Sequence, residues 1–412
     1  MHRFFASSIL NLGLRSLSML AKFLLVIYIG KYLSVEDLGE YGLFITTITI
    51  AIYFLGLDFY TYNTREILAK EKVERLPLIR DQFVFHLIVY SIVLPTLLTI
   101  FAFDIIKKEY IVFFYFILVF EHISQELYRL FTTLKRPLFA NFLLFIRTGM
   151  WVYILILLWQ MEVSKAPSLI SVWYSWIIGS FLSVIIGILY LQKEYNFKTL
   201  TKEIDWIWIK TGLKVSMPFF IGTLAYKVIE FSDRYMIDFY MTKADVGIYT
   251  FFGSIANTIN IIVFTLVIMI YYPLLVEQYQ NNQMSKYKQT LKEFFLKTLT
   301  ISLGVSIALL LLIQPVLEYI DKTELQQSIS ILWLLIISNV ILNVSLVPHY
   351  NLYARKKDLQ IRNATIAGAL ANILLNIIFI KSFGLQGAAI STILSFVIIL
   401  ILKVNITNRV NI

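Results

Sequence analysis

Long apolar runs separated by short polar connections extend along the whole chain. A run of 18 or more apolar residues is long enough to cross the hydrocarbon core of a bilayer as an α-helix. The apolar positions are continuous, whereas the strands of a transmembrane β-barrel would alternate apolar and polar residues. The pattern therefore predicts an all-α polytopic membrane protein with about twelve transmembrane helices. The predicted spans are 9–31, 41–62, 83–103, 110–134, 139–161, 169–191, 214–240, 247–276, 297–319, 329–352, 363–381 and 384–404.

The composition agrees with this class of protein. Hydrophobic residues make up 58% of the 412 residues and charged residues 15%, against about 45–50% and 25% in soluble proteins. No connection between the spans is long enough to form a soluble domain. The stretch 1–34 is interrupted by Arg15 and Lys22. Because it also lacks a small-residue cleavage site, we expect a retained first span rather than a signal peptide.

Several kinds of chemistry are disfavoured by what the sequence lacks. There are no cysteines, which excludes disulfides, thiol nucleophiles and thiolate metal sites. No Gly-rich phosphate loop with Lys and Ser or Thr is present, and the four histidines form no metal-binding motif. We therefore expect no enzyme activity, no metal and no cofactor. His122 and His349 are expected to make ordinary polar contacts.

The basic residues are distributed unequally between the two sides of the membrane. The net charge is +10, which in a soluble protein would suggest nucleic-acid binding. Here 22 basic residues fall in one set of loops and termini and seven in the opposite set. By the positive-inside rule this places both termini and the long loops in the cytoplasm, with no nucleic-acid partner. The loop 192–213 contains Trp206 and Trp208, which predict a short interfacial helix.

A ten-residue segment occurs twice, half a chain apart. The first copy, YLSVEDLGEY, is residues 32–41 and the second, YMTKADVGIY, is residues 240–249, an offset of 208 residues. Both copies have the spacing of a capping box, in which a hydroxyl and a carboxylate bind free amides at a helix start. We expect each to begin a helix after a tight external turn. The matching structural residues are Ser34 with Thr242, Asp37 with Asp245, and Gly39 with Gly247.

The duplication predicts two homologous halves. Residues 1–191 would form an N-terminal six-helix bundle and residues 214–412 a C-terminal one, joined by the cytoplasmic linker 192–213. Because six is an even number, both copies enter the membrane from the same side, and the repeats should be parallel with a pseudo-twofold axis along the membrane normal. In transporters of this kind the substrate cavity lies at the repeat interface.

Charged residues inside the predicted spans are the candidates for function, because they are costly in a membrane. Span one carries Asn11, Arg15 and Lys22 on one helical face. Span seven carries a matching set of charged residues. Its Glu230 lies 208 residues after Lys22 of span one, which is the offset of the repeat. We predict a wet cavity with excess positive charge for an anionic substrate. The span-seven residues are Lys227, Glu230, Asp233, Arg234 and Asp238.

Span four carries Glu121, Glu126 and Arg129, whose spacing also converges on one side. A structural alternative stays open for all these charges. Lys227 could pair with Glu230, and Glu126 with Arg129, simply to hold the helices together. Arg15 could instead reach the membrane surface. The intramembrane asparagines are expected to join helices; they are Asn339, Asn343, Asn372 and Asn376.

The segment from Asn11 to Phe44 resembles the polysaccharide flippases, also called O-antigen or lipid-linked oligosaccharide flippases. They belong to the multidrug/oligosaccharidyl-lipid/polysaccharide exporter (MOP) superfamily. The resemblance implies a V-shaped pair of six-helix bundles. It also implies alternating-access transfer of undecaprenyl-diphosphate-linked sugar units across the bacterial plasma membrane. The residues most similar to the family are Leu33, Ser34, Asp37, Gly39 and Tyr41.

The resemblance also suggests roles for individual residues and partners. The cavity cations Arg15, Lys22, Lys227 and Arg234 would bind the diphosphate and sugar acids. Carboxylates such as Glu230 and Asp233 would instead couple a proton or sodium ion. Polysaccharide polymerase and glycosyltransferases are the expected protein partners.

Two alternatives are retained. A multidrug exporter of the same superfamily would need a cavity dominated by carboxylates, and a membrane polymerase would need a large external loop. Lipid II flippases usually have two further spans, which disfavours that narrower assignment.

Overall fold

The computed structural model describes residues 2–161, 167–197 and 203–410, and it is built of α-helices with short turns. Among these residues, ten helices are long and apolar enough to cross a membrane. A further helix, Trp206–Tyr240, has 35 residues but carries the charged cluster predicted for span seven. The all-helical polytopic class is confirmed.

Among its described residues, the first part of the chain forms nine α-helices. A π-helical turn at Ile146–Met150 connects α7 to α8, and a 3₁₀ turn at Lys108–Tyr110 precedes α6. The helices are α1 (His2–Tyr32), α2 (Val35–Gly56), α3 (Tyr60–Ala69), α4 (Lys72–Thr96), α5 (Leu98–Ala102), α6 (Ile111–Thr133), α7 (Pro137–Phe145), α8 (Trp151–Gln160) and α9 (Leu169–Glu194).

The second part follows the same principle of long spans with short connections. A second π-helical turn, Phe264–Ile268, connects α12 to α13. The helices are α10 (Trp206–Tyr240), α11 (Lys243–Ala256), α12 (Thr258–Val263), α13 (Met269–Gln280), α14 (Met284–Ile320), α15 (Thr323–Gln327), α16 (Ile329–Ala354) and α17 (Asp358–Val410).

The helix α17 is a hairpin of two legs. Gly384 has φ 57° and ψ −134°, a conformation that side-chain-bearing residues rarely adopt. Across the hairpin, a Cβ on Gly387 would lie 1.9 Å from the Phe379 carbonyl oxygen, and one on Gly368 would lie 2.4 Å from Ile399. The two legs therefore run antiparallel in close contact. They correspond to the predicted spans 363–381 and 384–404.

The chain divides into two compact units. The first contains Met1–Tyr28 and Leu43–Ile221, and the second contains Ile29–Gly42 and Gly222–Ile412. Each has its own apolar core: Phe131 and Leu143 lie at the centre of one in the first unit, and Ile229 and Phe396 in the second. The proposed boundaries 1–191, 192–213 and 214–412 remain predictions.

Several predicted connections are helical instead. Span two was predicted to reach residue 62, but α2 ends at Gly56 because Leu57 and Asp58 adopt positive φ. The predicted loop 63–82 forms most of α3 and the start of α4. Its Glu, Lys and Arg residues have high helix propensity, so this segment is helical although it is too polar to lie in the hydrocarbon core.

The tryptophan-containing segment of the linker also differs from its prediction. Residues 206–210 form the first turn of α10 rather than a separate interfacial helix. Asp205 caps this turn, accepting a 2.8 Å hydrogen bond from the Trp208 amide. Trp208 is buried against Phe59, with ring centroids 5.4 Å apart. Its position is therefore set by packing inside the first unit.

Candidate functional site

Asp233 is the centre of a buried polar cluster in the second unit. Its side chain lies on α10 and is only 2% exposed. Three uncharged donors bind its carboxylate: the Tyr249 hydroxyl at 2.5 Å, the Asn376 amide at 2.6 Å and the Thr392 hydroxyl at 2.6 Å. Tyr249 comes from α11 and the other two from the two legs of α17. Four helical segments therefore converge on one carboxylate.

A second polar layer extends this cluster. Asn376 also donates to the Asn372 side-chain oxygen at 3.2 Å, and Ser232 donates to the same oxygen at 2.7 Å. The Asn376 oxygen and the Asn372 nitrogen are buried without a hydrogen-bond partner among the described residues. These asparagines do join helices, as expected, but they do so around a carboxylate. The sequence spacing gave no sign of that grouping.

Four other charged residues of α10 interact with near neighbours. Lys227 donates a 2.6 Å hydrogen bond to Glu230, with both side chains partly buried. Arg234 donates to the Glu230 carbonyl oxygen at 3.2 Å, and Asp238 forms a 2.9 Å ion pair with Lys243. The Lys227–Glu230 pair is the structural alternative left open by the sequence, and it forms.

The predicted residues of α1 belong to the first unit up to Tyr28. Asn11 accepts a 3.0 Å hydrogen bond from Asn141 on α7, Arg15 is partly buried and Lys22 is exposed. The common cavity predicted for Arg15, Lys22, Lys227 and Arg234 stays a prediction.

Glu121 on α6 is buried and held by two neighbouring helical segments. It accepts a 2.7 Å hydrogen bond from the Trp176 indole on α9. The Arg147 guanidinium lies 3.6 Å from its carboxylate and donates to its backbone carbonyl at 3.3 Å. Arg147 is itself only 7% exposed and sits in the π-helical turn after α7. This arrangement neutralises Glu121 inside the first unit.

Glu126, one turn further along α6, belongs to a larger buried network. Its two oxygens accept from Arg129 at 2.5 Å and from Gln82 at 2.6 Å, and Gln82 also accepts from Asn63. The Arg129 guanidinium lies 3.7 Å from the Tyr60 ring centroid, within cation–π range. The Glu126–Arg129 pair expected as a structural alternative is therefore formed.

Two histidines adjoin this network, a feature that the sequence did not predict. His86 on α4 and His122 on α6 have ring centroids 4.7 Å apart in an edge-to-face arrangement. Because they lie on different helices, no local spacing relates them. The side chains of His86, His122 and Glu126 come close enough to share an ion, with one ligand atom of each within 4.8 Å of the others.

The duplicated segments form two capping boxes in the second unit. The Ser34 hydroxyl accepts from the Asp37 amide at 3.0 Å, while Asp37 accepts from the Ser34 amide at 3.1 Å. The equivalent distances for Thr242 and Asp245 are 3.2 and 3.1 Å. These bonds satisfy free amides at the starts of α2 and α11.

The two starting helices cross at their paired glycines. A Cβ on Gly39 would lie 1.8 Å from the Lys243 carbonyl oxygen, and one on Gly247 would lie 2.0 Å from the Val35 carbonyl oxygen. Val35 and Lys243 are themselves separated by the repeat offset. Each glycine thus packs against the equivalent carbonyl of the other copy, so neither position has room for a side chain.

Several solved membrane proteins are similar to this arrangement of helices. An inward-facing multidrug resistance MATE family transporter of the MOP superfamily has a TM-score of 0.76 at 14% identity, covering 97% of each chain. Lipid II flippase MurJ, in an inward closed conformation, has a TM-score of 0.73 at 16% identity, covering 96% of this chain and 86% of its own. A third structure is a MOP superfamily transporter from Pyrococcus furiosus, described as having a binding pocket of reverse polarity. It has a TM-score of 0.54 at 15% identity, covering 98% of this chain and 93% of its own. At such identities the likeness shows the fold.

The chain therefore has the multi-pass helical membrane fold of these transporters. No curated protein has significant sequence similarity to the chain. The chain belongs to the polysaccharide biosynthesis protein family, whose sequence model matches residues 4–280. The resemblance inferred from the segment Asn11 to Phe44 is thereby confirmed at the level of the family, and the fold is that of solved MOP superfamily transporters.

Proposed function

We propose that this transporter flips undecaprenyl-diphosphate-linked oligosaccharide units from the inner to the outer leaflet of the bacterial plasma membrane for surface polysaccharide synthesis. The observation that carries the proposal is membership of a polysaccharide biosynthesis family by a chain with a transporter fold. The fold favours a transporter over a polymerase, because the solved structures that share it are described as a multidrug resistance transporter and a lipid II flippase. The basic loops support a membrane orientation with both termini in the cytoplasm.

The intramembrane cations would recognise the anionic part of the substrate. Arginine and lysine bind phosphate oxygens through charge-assisted hydrogen bonds, which are stronger where water is excluded. Lys227 is already paired with Glu230. To bind substrate, Lys227 would have to contact a phosphate either in addition to the Glu230 carboxylate or in place of it.

The capping boxes and the Gly39–Gly247 crossing support two parallel repeats. In both copies a hydroxyl, a carboxylate and a glycine occupy equivalent positions and make equivalent contacts. Two six-helix bundles related in this way would expose a substrate cavity alternately to the two sides of the membrane.

Asp233 is the residue we propose for ion coupling. Its hydrogen bonds come from uncharged donors, so an ionised carboxylate would retain its negative charge in a buried site. Such a charge is costly unless a proton or a cation neutralises it. A proton or sodium ion bound at Asp233 would link the ion gradient to the packing of α10 against α17.

Flipping can be measured directly with purified protein in proteoliposomes loaded with a fluorescent polyprenyl-diphosphate glycan. We expect the wild type to expose the glycan to an external glycosidase, and Lys22→Gln with Lys227→Gln to abolish exposure. Insertion and size-exclusion behaviour should remain normal. Normal flipping by the folded double variant would contradict the role of these cations.

A charge exchange separates substrate binding from simple pairing. The variant Lys227→Glu with Glu230→Lys retains opposite charges three residues apart but moves the cation. If Lys227 only holds α10 in place, this exchange should restore much of the activity lost in Lys227→Gln. If the cation binds substrate, we expect no recovery.

A multidrug exporter is the second candidate, favoured by the TM-score of 0.76 to a multidrug resistance transporter. It predicts proton- or sodium-driven efflux of a cationic dye from the same vesicles. We expect no such efflux, because the candidate residues of α1 and α10 together include four cations and three carboxylates. Dye efflux without glycan exposure would replace our proposal.

A further inference from the structure

We propose that His86, His122 and Glu126 bind a divalent transition-metal ion of the Zn²⁺ class inside the first unit. The three residues lie on α4 and α6, whereas the cations assigned to the substrate and Asp233 lie on α1 and α10. The site is therefore a separate property of the protein, and it can be tested without transport.

The first observation is a pair of buried ring nitrogens without partners. His86 is 3% exposed and His122 is fully buried, yet the Nε2 atom of each lacks a hydrogen-bond partner in the part of the chain that the structure describes. Buried polar atoms are almost always bonded to something. Two such nitrogens near one carboxylate form a set of donor atoms suited to a metal ion, which accepts electron pairs.

The second observation is that the surrounding residues orient these side chains for coordination. The His122 Nδ1 atom lies 2.7 Å from the Tyr90 hydroxyl. If Nδ1–H donates to the tyrosine oxygen, the lone pair of Nε2 points away and is free for a metal. Gln82 and Arg129 fix the two oxygens of Glu126 in the same way. Such outer contacts are a regular feature of histidine and carboxylate metal sites.

The third observation is space beside the ligands. Gly56, at the end of α2, lies beside the site. Because it is a glycine, no side chain occupies the adjacent space. A Cβ placed there would lie 3.3 Å from His122 Nε2 and 3.9 Å from both Glu126 Oε1 and Arg129 Nη1. The absence of that carbon leaves room next to two of the three ligand atoms. An alanine at this position would take up part of the same volume.

The types of ligand atom in the site determine which metal ions it would bind. Two imidazoles and one carboxylate suit Zn²⁺ and neighbouring first-row metals, while Na⁺, Mg²⁺ and Ca²⁺ prefer oxygen ligands. Arg129 compensates the charge of Glu126. Binding would therefore depend on coordination by the two nitrogens more than on net charge. A bound ion would connect α4 to α6 and stabilise the first unit.

The test uses the full-length protein in detergent, stripped of metal by a chelator and titrated with ZnCl₂ by calorimetry. Retained metal is counted by mass spectrometry after dialysis. We expect about one Zn²⁺ per chain for the wild type, and at least a roughly 10-fold loss of affinity in His86→Gln and in His122→Gln. The matched control is His349→Gln, which alters a partly buried histidine in the second unit and should bind normally.

Two further variants protect the test against misfolding. Gly56→Ala keeps all three ligands but fills the space beside them, and we expect it to lose Zn²⁺ while its metal-free melting temperature stays close to that of the wild type. Tyr90→Phe should retain one site with an affinity about 10-fold lower. Zn²⁺ should raise the melting temperature of the wild type but not of His122→Gln.

The proposal is overturned if the wild type retains no more Zn²⁺ than the double variant His86→Gln with His122→Gln. It is also overturned if the four single variants and the control all bind equally, since the metal would then lie elsewhere. Loss of binding in His349→Gln alone would likewise place the site in the second unit.

Discussion

Replacing Gly39 with alanine should force two helices apart at the crossing of the duplicated segments. The added Cβ would lie 1.8 Å from the Lys243 carbonyl oxygen. A carbon and a carbonyl oxygen normally approach to about 3.3 Å. The helices α2 and α11 must therefore separate by about 1.5 Å, because both colliding groups are close to the backbone and cannot rotate away.

The expected cost follows from this overlap. Overpacking in a well-packed core costs about 1–3 kcal/mol, and we expect the upper end because backbone must move. Alanine gains about 0.5–1 kcal/mol over glycine through its helix propensity. The net loss of stability in Gly39→Ala is then about 2 kcal/mol. Gly247→Ala should cost nearly the same, since its Cβ would lie 2.0 Å from the Val35 carbonyl oxygen.

The assay is thermal unfolding of purified protein, followed by the loss of the monodisperse size-exclusion peak. The matched control is Gly304→Ala on α14, where nothing lies within 4 Å of the added carbon. This control should melt at or slightly above the wild-type temperature. The double variant Gly39→Ala with Gly247→Ala should lose less than the two single losses combined, because one separation relieves both overlaps. Melting of Gly39→Ala like Gly304→Ala would refute the close crossing.

Three further predictions concern the polar residues. Ser34→Ala and Thr242→Ala each remove one capping hydroxyl and should each cost about 1 kcal/mol in thermal unfolding; equal stability of both variants and the wild type would contradict the caps. Asp233→Asn should leave the protein folded but make flipping in proteoliposomes insensitive to imposed pH and sodium gradients, and an unchanged gradient dependence would remove Asp233 from the coupling role. Arg129→Met leaves Glu126 buried without its cation and should cost about 3–5 kcal/mol, measured by thermal unfolding. Adding Glu126→Gln should recover part of that loss, and no recovery would show that the pair is not the cause.

The fold could be predicted because the hydrophobic signal is long and repeated. Every predicted span has a helix in the structure, and α17 divides at Gly384 between the last two. The ends were less predictable, since a helix continues past the hydrocarbon wherever its residues favour helix. The start of α14 illustrates this: Met284 lies well before the predicted span at 297–319.

Within the candidate site, only the contacts between residues of one helix could be predicted from the sequence. The spacing of Lys227 and Glu230, or of Glu126 and Arg129, places each pair on one face, and both pairs form. The partners of Asp233 come from helices 16 to 159 residues away in sequence. No pattern in one sequence identifies such neighbours, which is also why the histidine pair was missed.

The duplication distinguishes residues with a structural role from the residue proposed for ion coupling. The capping residues and the glycines occur in both copies, and their contacts are reciprocal. The carboxylate does not follow this rule, since at the repeat offset Asp233 corresponds to Leu25. Selection for a helix crossing would keep both glycines, whereas one ion site would be enough to couple transport. The lack of symmetry at Asp233 therefore supports a role in chemistry rather than in architecture.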